Sequence, residues 1–121
     1  MTTILIVDDE RMSNRLVQMS LQLDGFTVLT ALNLAQARQK ITADVEGVLV
    51  DFHLPQNTTG IALLQEIRAG ETAADSEIVV IMASGDDRKQ LDAEQNGANL
   101  FLLKPFSPTD LALHFKRLIN S

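Results

Sequence analysis

Five short segments dictate what this chain can become. Thr3-Ile4-Leu5-Ile6-Val7, Gly47-Val48-Leu49-Val50, Ile78-Val79-Val80-Ile81-Met82 and Leu100-Phe101-Leu102-Leu103 are dense apolar runs, and Phe26-Thr27-Val28-Leu29-Thr30 is a further strand-like run. A strand with one wet face alternates apolar and polar residues, whereas one that is apolar throughout must be covered on both faces. Segments with helical spacing separate the runs. Strands alternating with helices give an α/β, doubly wound parallel sheet with helices on both sides.

The helical segments have their own marks. Met12, Leu16, Met19 and Leu23, spaced by four, three and four, form one helical stripe closed by an Asp24-Gly25 turn. Asn33 is placed to cap a second helix carrying Ala37 and Ile41. After the loop Pro55-Gln56-Asn57-Thr58-Thr59-Gly60, Ile61, Leu64 and Ile67 mark a third. A polar connection runs from Gly70 to Ser76. A short polar helix is expected from Arg88 to Asn96, stopped by Gly97. The last helix starts at Ser107 as cap, with Pro108 at its first position and Asp110 three residues beyond the cap. Leu111, Phe115 and Leu118 line its buried face.

One domain spanning 1–121 fits this length, and an apolar share of 45% is enough for one core. The absence of cysteine excludes a disulfide framework and a thiolate metal site. No apolar run reaches membrane-span length, and Met1-Thr2-Thr3-Ile4 lacks a signal-peptide pattern, so a cytoplasmic location is expected. The net charge is −6, with Lys and Arg scattered along the chain, which argues against direct nucleic-acid binding. Asn57-Thr58-Thr59 matches a glycosylation pattern with no secretion signal to support it. His53 and His114 alone do not make a metal site.

In open parallel sheets, ligands bind beyond the carboxyl ends of the strands. Asp8, Asp9, Asp51, Ser84 and Lys104 all fall at such ends. Three carboxylates brought together repel unless a cation or protons intervene. Their all-oxygen chemistry suits a hard divalent ion, with Mg²⁺ the natural choice. Lys104 adds a compact positive charge and Ser84 a hydroxyl donor, both useful against a phosphoryl group. A carboxylate in this setting can act as nucleophile and form an aspartyl phosphate.

Each residue also has a plainer reading. Asp8-Asp9 suits a helix cap, Asp51 and Ser84-Gly85 suit turns, and Lys104 suits a solvated surface. Phe101 is more often a core residue than a functional one. The ordered set at successive strand ends is what favours the chemical reading.

The chain resembles the receiver domain of bacterial response regulators and hybrid histidine kinases along essentially its whole length. The resemblance is carried by Ile4-Leu5-Ile6-Val7-Asp8-Asp9-Glu10, by Val48-Leu49-Val50-Asp51-Phe52-His53-Leu54-Pro55, by Ser84-Gly85, and by Gly97-Ala98 through Lys104-Pro105-Phe106. It implies a flavodoxin-like sheet of strand order 2-1-3-4-5. It makes Asp51 the phosphoacceptor, Asp9 a direct Mg²⁺ ligand, Asp8 a ligand acting through water, and His53 the donor of a backbone carbonyl to the metal. By the same resemblance Ser84 moves toward the phosphoryl group, Lys104 contacts it, the Lys104–Pro105 bond is cis, and Phe101 is the aromatic switch. His53 and Asp86 occupy the positions that tune phosphoryl lifetime. The implied partners are a histidine kinase or histidine phosphotransfer protein and an unidentified output domain or protein, with dimerisation on phosphorylation as a further implied behaviour.

The chain departs from the family pattern between Asp51 and Gly60, one residue longer than usual, and between Ser84 and Gly97, about two residues shorter. The shorter segment leaves Ala83 as an alternative occupant of the hydroxyl position and implies a shortened fourth helix. Three other readings compete. A haloacid-dehalogenase-like phosphatase needs an Asp two residues after the nucleophile, where this chain has His53. A flavodoxin-like carrier needs a phosphate-binding loop where this chain has Asp8-Asp9-Glu10. A receiver-like binding module that works without phosphorylation has the complete acidic set and Lys104 against it.

Overall fold

The computed structural model describes residues 2–120; Met1 and Ser121, the ends of the expected domain, lie outside the described residues. The elements run in the order β1 (Thr3–Val7), α1 (Arg11–Leu23), β2 (Thr27–Ala31), α2 (Leu34–Lys40), β3 (Val45–Asp51), β4 (His53–Leu54), β5 (Thr58–Thr59) and α3 (Gly60–Arg68). They continue with β6 (Val79–Ser84), a 3₁₀ turn (Asp87–Lys89), α4 (Gln90–Gln95), β7 (Leu100–Leu103) and α5 (Pro108–Ile119). The main sheet has the order β2-β1-β3-β6-β7, with every pairing parallel. Counting its strands alone, this is the expected 2-1-3-4-5.

Sheet register follows from burial on both faces. Leu5, Val7, Val48, Val50, Val80 and Met82 pack under α2, α3 and α4, whereas Ile4, Ile6, Leu49, Ile81 and Ala83 pack under α1 and α5. Phe115 of α5 is fully buried and lies over Gly47, where an added Cβ would sit 2.7 Å from Ile4 Cδ1 and 2.8 Å from the Phe115 ring. Glycine at that strand position is thus a packing requirement rather than a turn. The caps read from sequence form: Asn33 Oδ1 accepts from Gln36 N at 2.8 Å, and Ser107 Oγ accepts from Asp110 N at 3.4 Å. Gly25 and Gly97 close α1 and α4 with φ of +91° and +100°. No described helix is long and apolar enough to cross a membrane.

Two features depart from the sequence reading. Helix α1 forms where the stripe of Met12, Leu16, Met19 and Leu23 places it, but that stripe faces solvent, with the four residues 84, 62, 55 and 88% exposed. The buried face is Asn14, Val17 and Leu21, one of them polar. Second, the loop after Asp51 folds into a hairpin, with β4 and β5 pairing antiparallel through His53↔Thr59 and Leu54↔Thr58. Its turn holds Gln56 and Asn57 at φ of 64° and 57°. Asn tolerates this left-handed region, whereas Gln56 costs about 1 kcal/mol there. The fourth helix is short as expected, with six residues preceded by a 3₁₀ turn.

Candidate functional site

Strand order reverses between β1 and β3, since the chain leaves β1 for β2 on one side and continues from β3 to β6 and β7 on the other. The space beyond the carboxyl ends of β1 and β3 is therefore open to a ligand, and Asp8, Asp9 and Asp51 stand there. A carboxylate oxygen from each comes within 4.8 Å of the others. Asp8 is buried, Asp51 half-buried and Asp9 exposed. Asp8 does not cap α1: Glu10 holds the N-cap position without a side-chain cap, and Asp8 Oδ1 instead accepts from Glu10 N at 3.0 Å.

Lys104 arrives from the end of β7 and completes the cluster. Its Nζ lies 3.1 Å from Asp8 Oδ2 and 3.3 Å from Asp51 Oδ2. Its backbone N–H donates to Ser84 O at 2.9 Å, which ties the turn to the end of β6, and the Lys104–Pro105 bond is cis. Burial works against the charged ammonium, but Asp8 and Asp51 together outweigh it and raise the lysine above its ordinary value. Burial pushes the Asp51 carboxyl up, Lys104 opposes this, the charge of Asp8 adds to it, and the His53 backbone N–H opposes it. The net effect is a raised Asp51, because burial outweighs a cation that is shared with Asp8.

That balance has a measurable consequence. A carboxyl whose folded pKa is raised favours the fold at low pH, and the advantage is lost as pH rises through the folded value. At neutral pH Asp51 is thus a burden on the metal-free fold. Asp51→Asn is expected to stabilise the metal-free protein by about 1 kcal/mol, raising the melting temperature by roughly 4 °C. Thermal melts at pH 7.5 and pH 4 check it, since the gain must shrink at the lower pH.

The other expected site residues take definite places. Ser84 is buried, and its Oγ accepts from Asp86 N at 3.1 Å. Along β6 alternate residues face opposite layers, so Ser84 points to the side of Met82 and Ala83 to the side of Ile81. Phe101 is half-buried and packs into the Met82 layer, the same side as Ser84. His53 is exposed, its ring edge-on to Phe52 at 5.0 Å. Asp86 is turned to Arg88, accepting from its backbone N at 3.0 Å and from its guanidinium at 2.9 and 2.8 Å; these bonds hold its pKa at about 2.

Sequence reasoning missed Asn14. It is 5% exposed, and its Nδ2 donates to Asp8 O at 2.6 Å, fixing the carbonyl beside the acidic cluster. The signal was present: Asn14, Val17 and Leu21 have a helical spacing of their own, with the polar member nearest the site. Gly60 was read only as the end of a loop, yet its N–H donates to Phe52 O at 2.8 Å and it packs directly on the Asp51 backbone.

The donor set is all oxygen and compact, which fits a hard divalent cation better than a soft one. With a lysine on the same carboxylates, the arrangement can hold a metal and a transferring phosphoryl group against one nucleophilic oxygen of Asp51.

Comparisons with known proteins agree with this geometry. A model of the response regulator receiver domain matches residues 4–116. The chain is 32% identical over 119 residues to the phosphate regulon transcriptional regulatory protein PhoB of Pseudomonas aeruginosa, covering 98% of this chain and 52% of that one. It is 38% identical over 109 residues to the transcriptional regulatory protein KdpE of Staphylococcus aureus, covering 89% and 46%. The chain thus spans about half the length of these curated relatives. Among solved structures, the response regulator TrrA of Thermotoga maritima, in complex with Mg²⁺ and beryllofluoride, superposes with a TM-score of 0.83 at 26% identity, covering 98% of this chain and 99% of that one. The order of the sheet, the acidic cluster with its lysine and these similarities together place the chain in the response regulator receiver domain family.

Proposed function

We propose that this receiver serves a two-component phosphorelay, with Asp51 taking a phosphoryl group from a phosphohistidine on a histidine kinase or histidine phosphotransfer protein. The observation that carries this reading is the convergence of Lys104 on Asp8 and Asp51 at the switch point of the sheet, with Asp9 alongside. An Asp51 oxygen attacks phosphorus, the P–N bond breaks, and its electron pair leaves with the imidazole nitrogen. Asp8, Asp9, Asp51 and the His53 backbone carbonyl are the groups that would hold Mg²⁺, which when bound draws charge from the phosphoryl oxygens. Lys104 keeps its bond to Asp8 and exchanges its Asp51 contact for a phosphoryl oxygen. Burial keeps water sparse around Asp51, which strengthens each of these contacts. The reaction is a single transfer to the protein itself rather than turnover of a substrate, and the setting is the cytoplasm.

The exit of the signal rests on Ser84 and Phe101, which share one side of the sheet. A phosphoryl group at Asp51 draws the Ser84 hydroxyl toward it, and Phe101 turns into the space released, shifting a two-state equilibrium toward a surface that an output partner or a second copy reads. His53, two residues beyond Asp51, and Asp86, two beyond Ser84, are the residues we assign to setting the lifetime of the phosphorylated form.

Intact mass after incubation with acetyl phosphate and Mg²⁺ tests the reading. One added phosphoryl group is expected, absent in Asp51→Asn and under chelation. The decay of that mass is expected to change when His53 or Asp86 is exchanged, and unchanged decay in both variants would remove their assignment. No adduct, together with no binding of beryllofluoride, would leave a binding module that works without phosphorylation.

The exposed stripe on α1 supports a place for the donor. Met12, Leu16, Met19 and Leu23 have the spacing of a coiled-coil seam. A groove of ≈ 380 Å³ runs from Leu16 past Phe106 to Asp8 and Lys104. Leu16→Glu with Met19→Glu is expected to slow transfer from a phosphohistidine donor about tenfold or more while leaving uptake from acetyl phosphate unchanged. Equal slowing of both reactions would show that the helix acts on the site itself.

A further inference from the structure

A second cleft, of ≈ 440 Å³, lies on another flank of α1, between that helix, the end of β2 and α2. Arg11 and Arg15 enter it from α1 and Lys40 from α2, with the carboxamides of Gln18 and Gln36 between them. No Asp or Glu lines it, although acidic residues outnumber basic ones 16 to 10 in the chain.

The other cations are already engaged. Arg38 pairs with Glu66, Arg88 with Asp86, Lys116 with Asp24, and Lys104 with Asp8 and Asp51. Arg68 donates to the carbonyls of Gly97, Ser76 and Ile78, Lys89 lies over the Phe52 ring, and Arg117 contacts His114. Among the described residues, Arg11 and Arg15 have no such partner, and Lys40 reaches only the carbonyl of Thr30. Gln36 uses its Oε1 on the Leu32 N–H, which leaves its NH₂ free to donate. Asn14, buried at the back of the cleft, is fixed on the Asp8 carbonyl and gives it a rigid floor.

Three like charges around one cleft repel each other, and an anion placed among them removes that repulsion. Guanidinium groups match phosphate oxygens in paired hydrogen bonds, and the amides add neutral donors. Leu32 is the sole apolar lining residue and no aromatic ring is present, so the cleft has no platform for a nucleobase. We propose that the cleft between α1 and α2 binds a small multivalent anion of the oligophosphate class, a site separate from Asp51.

The test is calorimetric titration with sodium tripolyphosphate in metal-free buffer, where the acidic cluster around Asp51 repels anions. Saturable binding at about 1 mM or tighter is expected. It should weaken about tenfold or more in Arg11→Gln with Arg15→Gln, and again in Lys40→Gln, since each removes charge-assisted hydrogen bonds. Lys116→Gln and Asp51→Asn should bind as the wild type does, which keeps this result independent of the phosphorelay reading. Arg11, Arg15 and Lys40 are all exposed, and unchanged melting will confirm that the fold is kept. Equal weakening in Lys116→Gln, unchanged binding in the cleft variants, no saturable binding, or equal affinity for citrate would each overturn the proposal.

Discussion

Gly60→Ala is expected to cost about 3 kcal/mol of stability and to abolish phosphoryl uptake at the same time. A Cβ at this position would lie 2.4 Å from the carbonyl oxygen of Asp51 and 2.8 Å from Val50 Cγ2. The first contact is with backbone in the middle of the fold, so no flexible side chain can move aside. Either α3 slides off β3, which opens the layer of Leu63, Leu64 and Ile67, or the end of β3 twists and re-aims the Asp51 carboxylate. Both outcomes break the Gly60 N–H to Phe52 O bond of 2.8 Å. Gly85→Ala is the fitting control: it stands in the same site region, has nothing within 4 Å of a Cβ, and should leave stability within about 0.5 kcal/mol. Denaturant unfolding and the phosphorylation mass assay read the two effects together. A loss under about 1 kcal/mol for Gly60→Ala would mean that the helix start is softer than its contacts imply.

Under the proposed function, Lys104→Met is expected to slow phosphoryl uptake by a factor of about 10² to 10³, since it removes the cation that lies against the Asp8 and Asp51 carboxylates. The substitution keeps the length of the stem, so the effect isolates charge. It also changes the resting protein. Asp8 and Asp51 lose their shared partner, and in metal-free buffer the variant should be less stable by about 1 kcal/mol, a modest figure because the pair is partly open to solvent. The pH dependence has a definite sign. Without Lys104 the Asp51 carboxyl is raised further, so the folded state holds its proton more tightly and the deficit must shrink as pH falls through the carboxylate range. Mg²⁺ should close the stability gap while leaving the rate deficit. A rate within threefold of wild type would mean that the metal alone carries the charge stabilisation.

The sequence exposed the sheet because its strands are apolar at consecutive positions, a pattern with few solutions. The same property hid a detail. Where every residue of a strand is buried, alternation leaves no trace in composition, so the reading that favoured Ser84 kept Ala83 as an alternative; in the sheet it is Ser84 that falls on the side of Phe101. Convergence of Asp8, Asp9, Asp51 and Lys104 was legible because strand ends in a parallel sheet have to meet at one edge. The role of Asn14 was not, since a polar residue on a helix reads as its solvent face. On α1 that inference fails twice: the apolar stripe is outside and the asparagine inside. The hairpin after Asp51 was beyond reach because strands of two residues carry no period, and its turn rests on left-handed Gln56 and Asn57 rather than on glycine.

The main chain around the site is stitched into the sheet rather than hung from it. Asp51 stands in register with Ala83, the Phe52 N–H donates to Ala83 O at 2.8 Å, and the Lys104 N–H donates to Ser84 O at 2.9 Å. The amides of Phe52 and Lys104 should therefore exchange their hydrogens with solvent as slowly as those of β3 and β6, through opening of the whole domain rather than local fraying. A site with that property keeps its alignment for as long as the molecule stays folded. Under the proposed phosphorelay, arrival and departure of a phosphoryl group would have only side chains to rearrange, with the backbone beneath them as a fixed reference against which the two states are told apart.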